Sequence, residues 1–262
     1  MDKLLIFDIK GKMAHFRPFY TNSSSLSYTF PPRTTIAGLI AGILGIPSER
    51  FEPENSYYED FYPEKCKIAL SVMTPLRKII QTVNYVQTKK SEGGIKVIDG
   101  SAGSTQIPLE IVLPQEKDEY LCYRIYFYHT DELFEKLQDC LKNKRWVYPP
   151  YLGISEFLAD IEFIDSTDKV KPVEGDKEVK IKSVVNMEYI ELGNLKFTEN
   201  TGKPLRYIKE RMPIIMDRER KLKKIGSFIY EMNYGEIIAQ CKNVYEIQYR
   251  KVSEPEYIVF ME

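Results

Sequence analysis

Residues 11–46 read GKMAHFRPFYTNSSSLSYTFPPRTTIAGLIAGILGI. An Arg-bearing loop comes first, then a Ser/Asn/Tyr-rich segment, a Pro-Pro stop and a Gly-punctuated apolar run. Residues 33–46 read as a helix. Thr34 or Thr35 can cap it, because a hydroxyl there accepts from an orphan N–H of the first turn. Ile36, Leu39, Ile40, Ile43 and Leu44 recur at helical spacing and form one apolar face. Ala37, Gly38, Ala41, Gly42 and Gly45 form a second, narrow face. Gly inside a helix costs about 0.5–1 kcal/mol relative to Ala. That face therefore signals close approach by another backbone, either a sheet of the same chain or an external polymer.

The helix N-terminus offers free N–H groups and a partial positive charge, a natural place for an anion. Arg33 stands at that end, His15 and Arg17 lie upstream, and Tyr20 and Tyr28 bracket the polar run TNSSSLS. Cations and amides suit phosphates, and rings suit unstacked bases. A solvated loop whose Tyr rings pack on the domain would carry the same composition.

Outward from this stretch, the periodicities give an order of elements. Lys3–Ile9 reads as a buried strand. Residues 47–64 are acidic, Pro-punctuated and aromatic, an ordered surface connection. Lys67–Met73 alternates, with Ile68, Leu70 and Val72 on one face, as a half-buried strand does. Residues 76–104 begin strand-like and continue through the Gly-rich SEGGIKVIDGSAGS, a protruding hairpin too long for a simple turn. It carries Arg77, Lys78, Lys89, Lys90 and Lys96 against Glu92 and Asp99. Gln106–Leu113 and Leu121–Tyr128 read as strands joined by the acidic turn PQEKDE. Thr130 is a candidate cap for a helix whose core stripe is Leu133, Phe134, Leu137 and Leu141. A strand over Phe157–Phe163 closes the first half.

Without the insertion this order is βαββαβ, the ferredoxin-like or RNA-recognition arrangement. The fold class expected is therefore α+β: a ferredoxin-like domain over residues 1–165 with a hairpin inserted at about 76–104. A polar linker follows. Strand-like runs over 179–190, 206–215, 225–231, 243–250 and 256–261 then predict a small antiparallel β unit over 178–262.

The chain's 262 residues can bury roughly 70–75% of the unfolded surface, enough for one large domain or two small ones. The formal net charge is −1, so any nucleic-acid signal must be local. It is local at one place: residues 203–224 hold nine Lys or Arg against Glu210, Asp217 and Glu219. This segment is a solvated hairpin tip, a phosphate patch, or a patch for an acidic neighbour. The four Cys are scattered without C-x-x-C spacing and read as reduced thiols of a cytoplasmic protein. The N-terminus lacks a secretory apolar core, and the apolar run 36–46 is too short to span a bilayer, so no membrane association is expected.

Signals for catalysis are sparse. The two histidines, His15 and His129, stand in no metal-ligand spacing, and no phosphate loop, dinucleotide fingerprint or nucleophile elbow occurs. No metal or cofactor is expected. Metal-free RNA cleavage needs only a positioned base, acid and cation, which His15, Tyr20 or Tyr28, and Lys12 could supply.

The runs GKMAHFR and TNSSSLSYTFPPRTTIAGLIAGILGI, with TQIPLE at 105–110 and YPPYLGISEF at 148–157, resemble the CRISPR-associated family-five proteins, most closely their subtype I-B branch. The resemblance spans residues 4–160 in three blocks; beyond 165 no motif is recognised. It implies the ferredoxin-like fold and a thumb-like hairpin folding over a guide RNA. It implies a subunit of a type I surveillance complex (Cascade) in antiviral defence. That subunit binds CRISPR RNA, holds its 5′ handle and caps the backbone filament. The partners implied are the family-seven backbone subunits, the family-eight large subunit and, indirectly, target DNA. By position, Arg17 and Arg33 would contact handle phosphates, and Thr34 and Thr35 would present the helix N-terminus. Tyr20 and Tyr28 would stack on bases, and Lys89, Lys90 and Gln106 would lie on or near the thumb. Lys12 and His15 complete the candidate RNA-binding set. A related branch, subtype I-C, cuts its guide precursor, which keeps a metal-independent endoribonuclease as the alternative to a non-catalytic subunit.

Overall fold

The computed structural model describes residues 3–21, 25–48, 57–87, 89–90, 96–97, 100–101, 103–174, 177–197, 205–232 and 235–262. In chain order the elements are β1 (Leu4–Gly11), α1 (Arg33–Leu44), α2 (Tyr57–Asp60), β2 (Cys66–Val72), β3 (Leu76–Val86), β4 (Lys89–Lys90) and β5 (Lys96–Val97). Then come β6 (Ser104–Pro114), β7 (Leu121–His129), α3 (Leu133–Asn143), β8 (Ala159–Thr167), β9 (Val170–Pro172), β10 (Glu178–Ile181) and β11 (Val185–Asn186). A 3-10 turn (Met187–Tyr189) leads to β12 (Ile190–Leu195), β13 (Tyr207–Met216), β14 (Leu222–Glu231), β15 (Ile237–Cys241), β16 (Val244–Ile247) and β17 (Glu256–Val259). The fold is mixed α+β and mostly strand.

The first sheet has four strands in the order β2-β7-β1-β8, every pair antiparallel. The sequence LLIFDIKG makes β1 a central strand because it is apolar on both faces, and both faces are covered. Leu5, Phe7 and Ile9 join the core under α1 and α3, while Leu4 and Ile6 pack with Ala69, Tyr126, Ile258 and Phe260 on the far side. The strand read as half-buried, β2, is covered on both faces for the same reason: Ala69 and Ser71 are as buried as Ile68 and Leu70. On the far face Asp8 sits opposite Arg124 and accepts two bonds from its guanidinium at 2.7 and 2.9 Å. The guanidinium also donates to the Tyr249 hydroxyl at 2.8 Å, so the buried charge pair is fully tied.

Helix α1 is wedged between this sheet and a three-stranded sheet, β11-β14-β13. Met212, Ile214, Phe228 and Tyr230 from that sheet share one core with Ile36, Ile40 and Ile43. The narrow face of the helix is not one contact. Ala37 and Ala41 are in the core, Gly38 lies under the Tyr57 hydroxyl, and Gly42 opposes nothing within 4 Å. Gly45 ends the helix at φ 73°, with its N–H on Gly42 O and the Ile46 N–H on Ala41 O. That left-handed cap is the one a Gly accepts without steric cost.

Further local expectations are corrected. Neither Thr34 nor Thr35 caps α1: Pro32 holds the N-cap and no side chain bonds there. Thr130 bonds Asp131 at 3.0 Å, and the N-cap of α3 is Glu132, two residues later. The strand read from Gln106 is the return strand of the hairpin, since β3 and β6 pair over eleven positions from Leu76↔Pro114 to Val86↔Ser104. The hairpin therefore runs from 76 to 114. The aromatic connection after α1 is not all surface: Tyr57, Tyr58 and Phe61 are buried against the core. In the second half a six-stranded sheet, β12-β15-β10-β17-β16-β9, includes a strand, β15, that the sequence reading passed over.

Candidate nucleic-acid interface

The opening loop is pinned on three sides. Ala14 pairs with Val112 at the base of the hairpin, His15 N–H donates to Leu152 O at 3.1 Å, and Phe16 pairs with Tyr28. His15 is buried, and its Nδ1 donates to Glu110 O at 2.8 Å. Gly153, at φ 92°, lets this backbone pass: a Cβ there would lie 1.9 Å from His15 O. Beyond Phe16 the chain emerges into a turn. Thr21 N–H returns to Pro18 O at 3.2 Å, and the Arg17 guanidinium donates to Thr21 O at 3.0 Å. Tyr20 stands at the tip, 56% exposed, edge-on to Phe19 and to Tyr28 (centroids 5.2 and 6.3 Å).

Tyr28 is 2% exposed and has no face left for a base. Its hydroxyl donates to Arg211 O at 2.6 Å, tying the turn to β13. Burial pushes this phenol far above its ordinary value. A second tie is ionic. Glu210 accepts from Thr29 N–H and Oγ1 at 2.9 and 2.7 Å, and Glu110 accepts from Ser27 N–H at 2.8 Å. Lys78 lies between the two carboxylates, at 3.4 Å from Glu110 and 3.5 Å from Glu210, and donates to Ser27 O. Burial raises the Glu210 carboxyl above the usual carboxylate value, against the pull of Lys78 and Thr29. Lys78, Glu110 and Glu210 were not in the predicted set. They are far apart in sequence and only the hairpin base and β13 bring them together.

Arg33 is placed differently from its expected role. It is 2% exposed, with Nη2 donating to Cys66 O at 2.7 Å and Nη1 to Ile214 O at 3.5 Å, and its Nε has no partner among the described residues. Burial pulls its basicity down. A guanidinium enclosed this way braces α1 between two sheets and presents nothing to a phosphate. The small void beside it, about 10 Å³, is lined by Thr34, Tyr58, Tyr62 and Ile215, and Thr34 and Thr35 are half-buried. Thr35 N–H returns to Pro32 O at 2.9 Å.

The remaining predicted residues fall on two flanks. Lys12 lies 3.8 Å above the Tyr120 ring in an open cleft of about 460 Å³ that Met13, Leu158 and Asp160 also line. Gln106 is exposed on the hairpin, opposite Asn84. Lys89 and Lys90 pair by backbone with Val97 and Lys96 near its tip; their side chains, like residues 22–24 of the polar run, lie outside what the structure describes. The described shaft, from Ile79 to Gln87 and from Gly103 to Leu109, carries no charged side chain. The structure therefore brings together Arg17 and Tyr20 at the surface with His15 and Tyr28 as buried supports. It separates Lys12 and the hairpin tip from them.

Among the described residues no group of His, Cys, Asp and Glu could hold a metal ion, and no helix is long and apolar enough to cross a membrane. A family model described as CRISPR-associated protein (Cas_Cas5) matches residues 4–228. No curated protein matches the sequence. Among solved structures, a CRISPR protein from Archaeoglobus fulgidus is 14% identical over 97% of this chain and 98% of its own, with a TM-score of 0.51. At that identity the likeness speaks to the fold alone. A chain of a CRISPR RNA-guided surveillance complex (12% identical, 90% and 91% covered, TM-score 0.48) is also similar. So is a chain of the Type III-B Cmr-beta complex bound to cognate target RNA and AMPPnP (13%, 91% and 86%, 0.41).

Proposed function

The chain belongs to the CRISPR-associated Cas5 family, and on that premise we propose that it is a non-catalytic RNA-binding subunit of a type I, I-B-like Cascade complex. It holds the 5′ handle of the guide RNA and caps the backbone filament. Its neighbours are the family-seven and family-eight subunits, and it meets target DNA only through the assembly, in the cytoplasm. We read the strand order β2-β7-β1-β8 as a ferredoxin-like sheet and the β3–β6 ribbon as the thumb. We read the C-terminal strands as a second unit, packed against the first through α1 on one face of its sheet and through Ile247, Ile258 and Phe260 on the other.

The observation that carries this reading is the turn Arg17–Thr21. It projects an exposed aromatic ring and a guanidinium from a base held by three buried ties: His15 to Glu110, Tyr28 to Arg211, and Thr29 to Glu210. A rigid base under a small tip that exposes one ring and one guanidinium suits a fixed single-stranded segment, whose bases stack and whose phosphates pair with Arg. The role first given to Arg33 and Tyr28 passes to positioning. The non-catalytic reading is supported by the state of the histidines. Each is buried with a ring nitrogen held by a backbone carbonyl, His15 by Glu110 and His129 by Asp60, both at 2.8 Å.

The test is binding of a labelled repeat-derived 5′-handle RNA against a scrambled RNA, at two salt concentrations and in EDTA. The reading predicts a handle preference that weakens with salt and no discrete cut. A discrete cut in EDTA would replace it with the metal-independent endoribonuclease.

A further inference from the structure

The fold sorts the basic segment 203–224. Lys203 lies outside the described residues. At the turn between β13 and β14, Arg218 pairs bidentately with Glu59 at 2.7 Å, Lys223 pairs with Asp217 at 3.0 Å, and Lys221 pairs with Glu219. Arg220 also has a partner. These charges are balanced within the chain. Arg206, Lys209, Arg211 and Lys224 are exposed and have no ion pair among the described residues.

Two of the four are aligned. Glu210 points inward to Thr29 and Lys78, so strand alternation sends Lys209 and Arg211 out through the opposite face. Their spacing along the strand is about 6.8 Å. Both stand beside the candidate interface. The Tyr28 hydroxyl donates to Arg211 O, and the Tyr28 ring lies edge-on to Tyr20 with centroids 6.3 Å apart.

We propose that Lys209 and Arg211 extend the RNA interface from the Arg17–Thr21 turn onto the outer face of β13, binding neighbouring phosphates of the single strand whose base stacks on Tyr20. This rests on the reading that the turn meets RNA. Two unpaired cations on the strand that Tyr28 ties to the turn, beside an exposed ring on that turn, match one backbone and one unstacked base; a duplex would hide the base face the ring needs. An acidic protein surface would use the cations and leave Tyr20 idle.

The experiment is fluorescence anisotropy of a labelled repeat-derived single-stranded RNA over a salt series, with DNA of the same sequence as a second arm. The whole chain is compared with Lys209→Ala/Arg211→Ala, with Arg211→Lys and with Arg17→Ala. Removing two phosphate contacts is expected to lower the log–log salt slope by about 1.4, at roughly 0.7 per contact. The loss should be equal in the RNA and DNA arms, because the phosphates are shared. Arg211→Lys should keep the slope, which separates lost charge from lost structure. If Arg17→Ala weakens binding while the double variant leaves slope and affinity unchanged, the inference fails and the reading of the turn survives. The same holds if the double variant loses only a co-purifying protein partner. A wild-type chain that binds no RNA contradicts both.

Discussion

The Tyr28 hydroxyl donates to the backbone carbonyl of Arg211 at 2.6 Å, joining a loop near the start of the chain to a strand of the second half. The ring is buried, so this residue works as a strut for its neighbour Tyr20. Tyr28→Phe keeps the ring and deletes the tie. It should cost about 1 kcal/mol of stability, because Arg211 O is left without its donor. Equilibrium urea unfolding measures that. RNA affinity should fall with it although Tyr28 itself touches no RNA, and an unchanged affinity would show that the turn holds its shape without the strut.

Gly153 is the position where a methyl group has nowhere to go. Its φ is 92° and a Cβ would meet His15 O at 1.9 Å. Gly153→Ala should destabilise by about 2 kcal/mol or more, from backbone strain and the clash together. A thermal melt with an unchanged midpoint would mean that the His15 segment shifts freely.

The Asp8–Arg124 pair is buried, with side chains 4% and 10% exposed. Breaking such a pair leaves an uncompensated charge, so Asp8→Ala should cost about 3–5 kcal/mol. Replacing both residues by apolar ones of similar volume should recover much of that, and a double-mutant cycle reads the coupling.

Glu210 sets a pH dependence with a definite sign. Its folded carboxyl is raised by burial, so the native state holds its proton to higher pH than the unfolded chain. Its contribution is fully present below the ordinary glutamate value and is lost as pH rises through the raised one. Glu162 has the opposite sign: hydrogen bonds from Lys10 and Lys251 hold it down at about 2, so its contribution is present above the ordinary value and lost as pH falls toward 2. Side-chain carboxyl NMR titration should place the two on opposite sides of 4.5. Glu210→Gln should flatten the decline of stability with rising pH, and an unaltered decline would assign it to another group.

The first half of the fold was legible because its elements are set by local pattern. The all-apolar LLIF, the Gly-stopped helix and the amphipathic α3 each announce their state. What the sequence could not carry was pairing between distant segments. The run from Gln106 reads equally as a sheet strand or as a hairpin return, and only its register with Leu76–Val86 decides. The site divided along the same line. Arg17 and Tyr20 lie just before the polar run TNSSSLS and are exposed. Arg33 and Tyr28 look like ligands in sequence because Arg and Tyr serve both surfaces and struts. Their burial comes from β13, almost two hundred residues downstream, and from the carbonyls of Cys66, Ile214 and Arg211.

The central claim is that the guide RNA meets the Arg17–Thr21 turn. The most direct measurement is ultraviolet cross-linking of a handle RNA carrying 4-thiouridine at successive positions, with the modified peptide identified by mass spectrometry. The account predicts an adduct on the peptide containing Tyr20, lost in Tyr20→Ala. Adducts that leave this peptide untouched and fall at the N-terminus of α1, around Thr34 and Thr35, would contradict it.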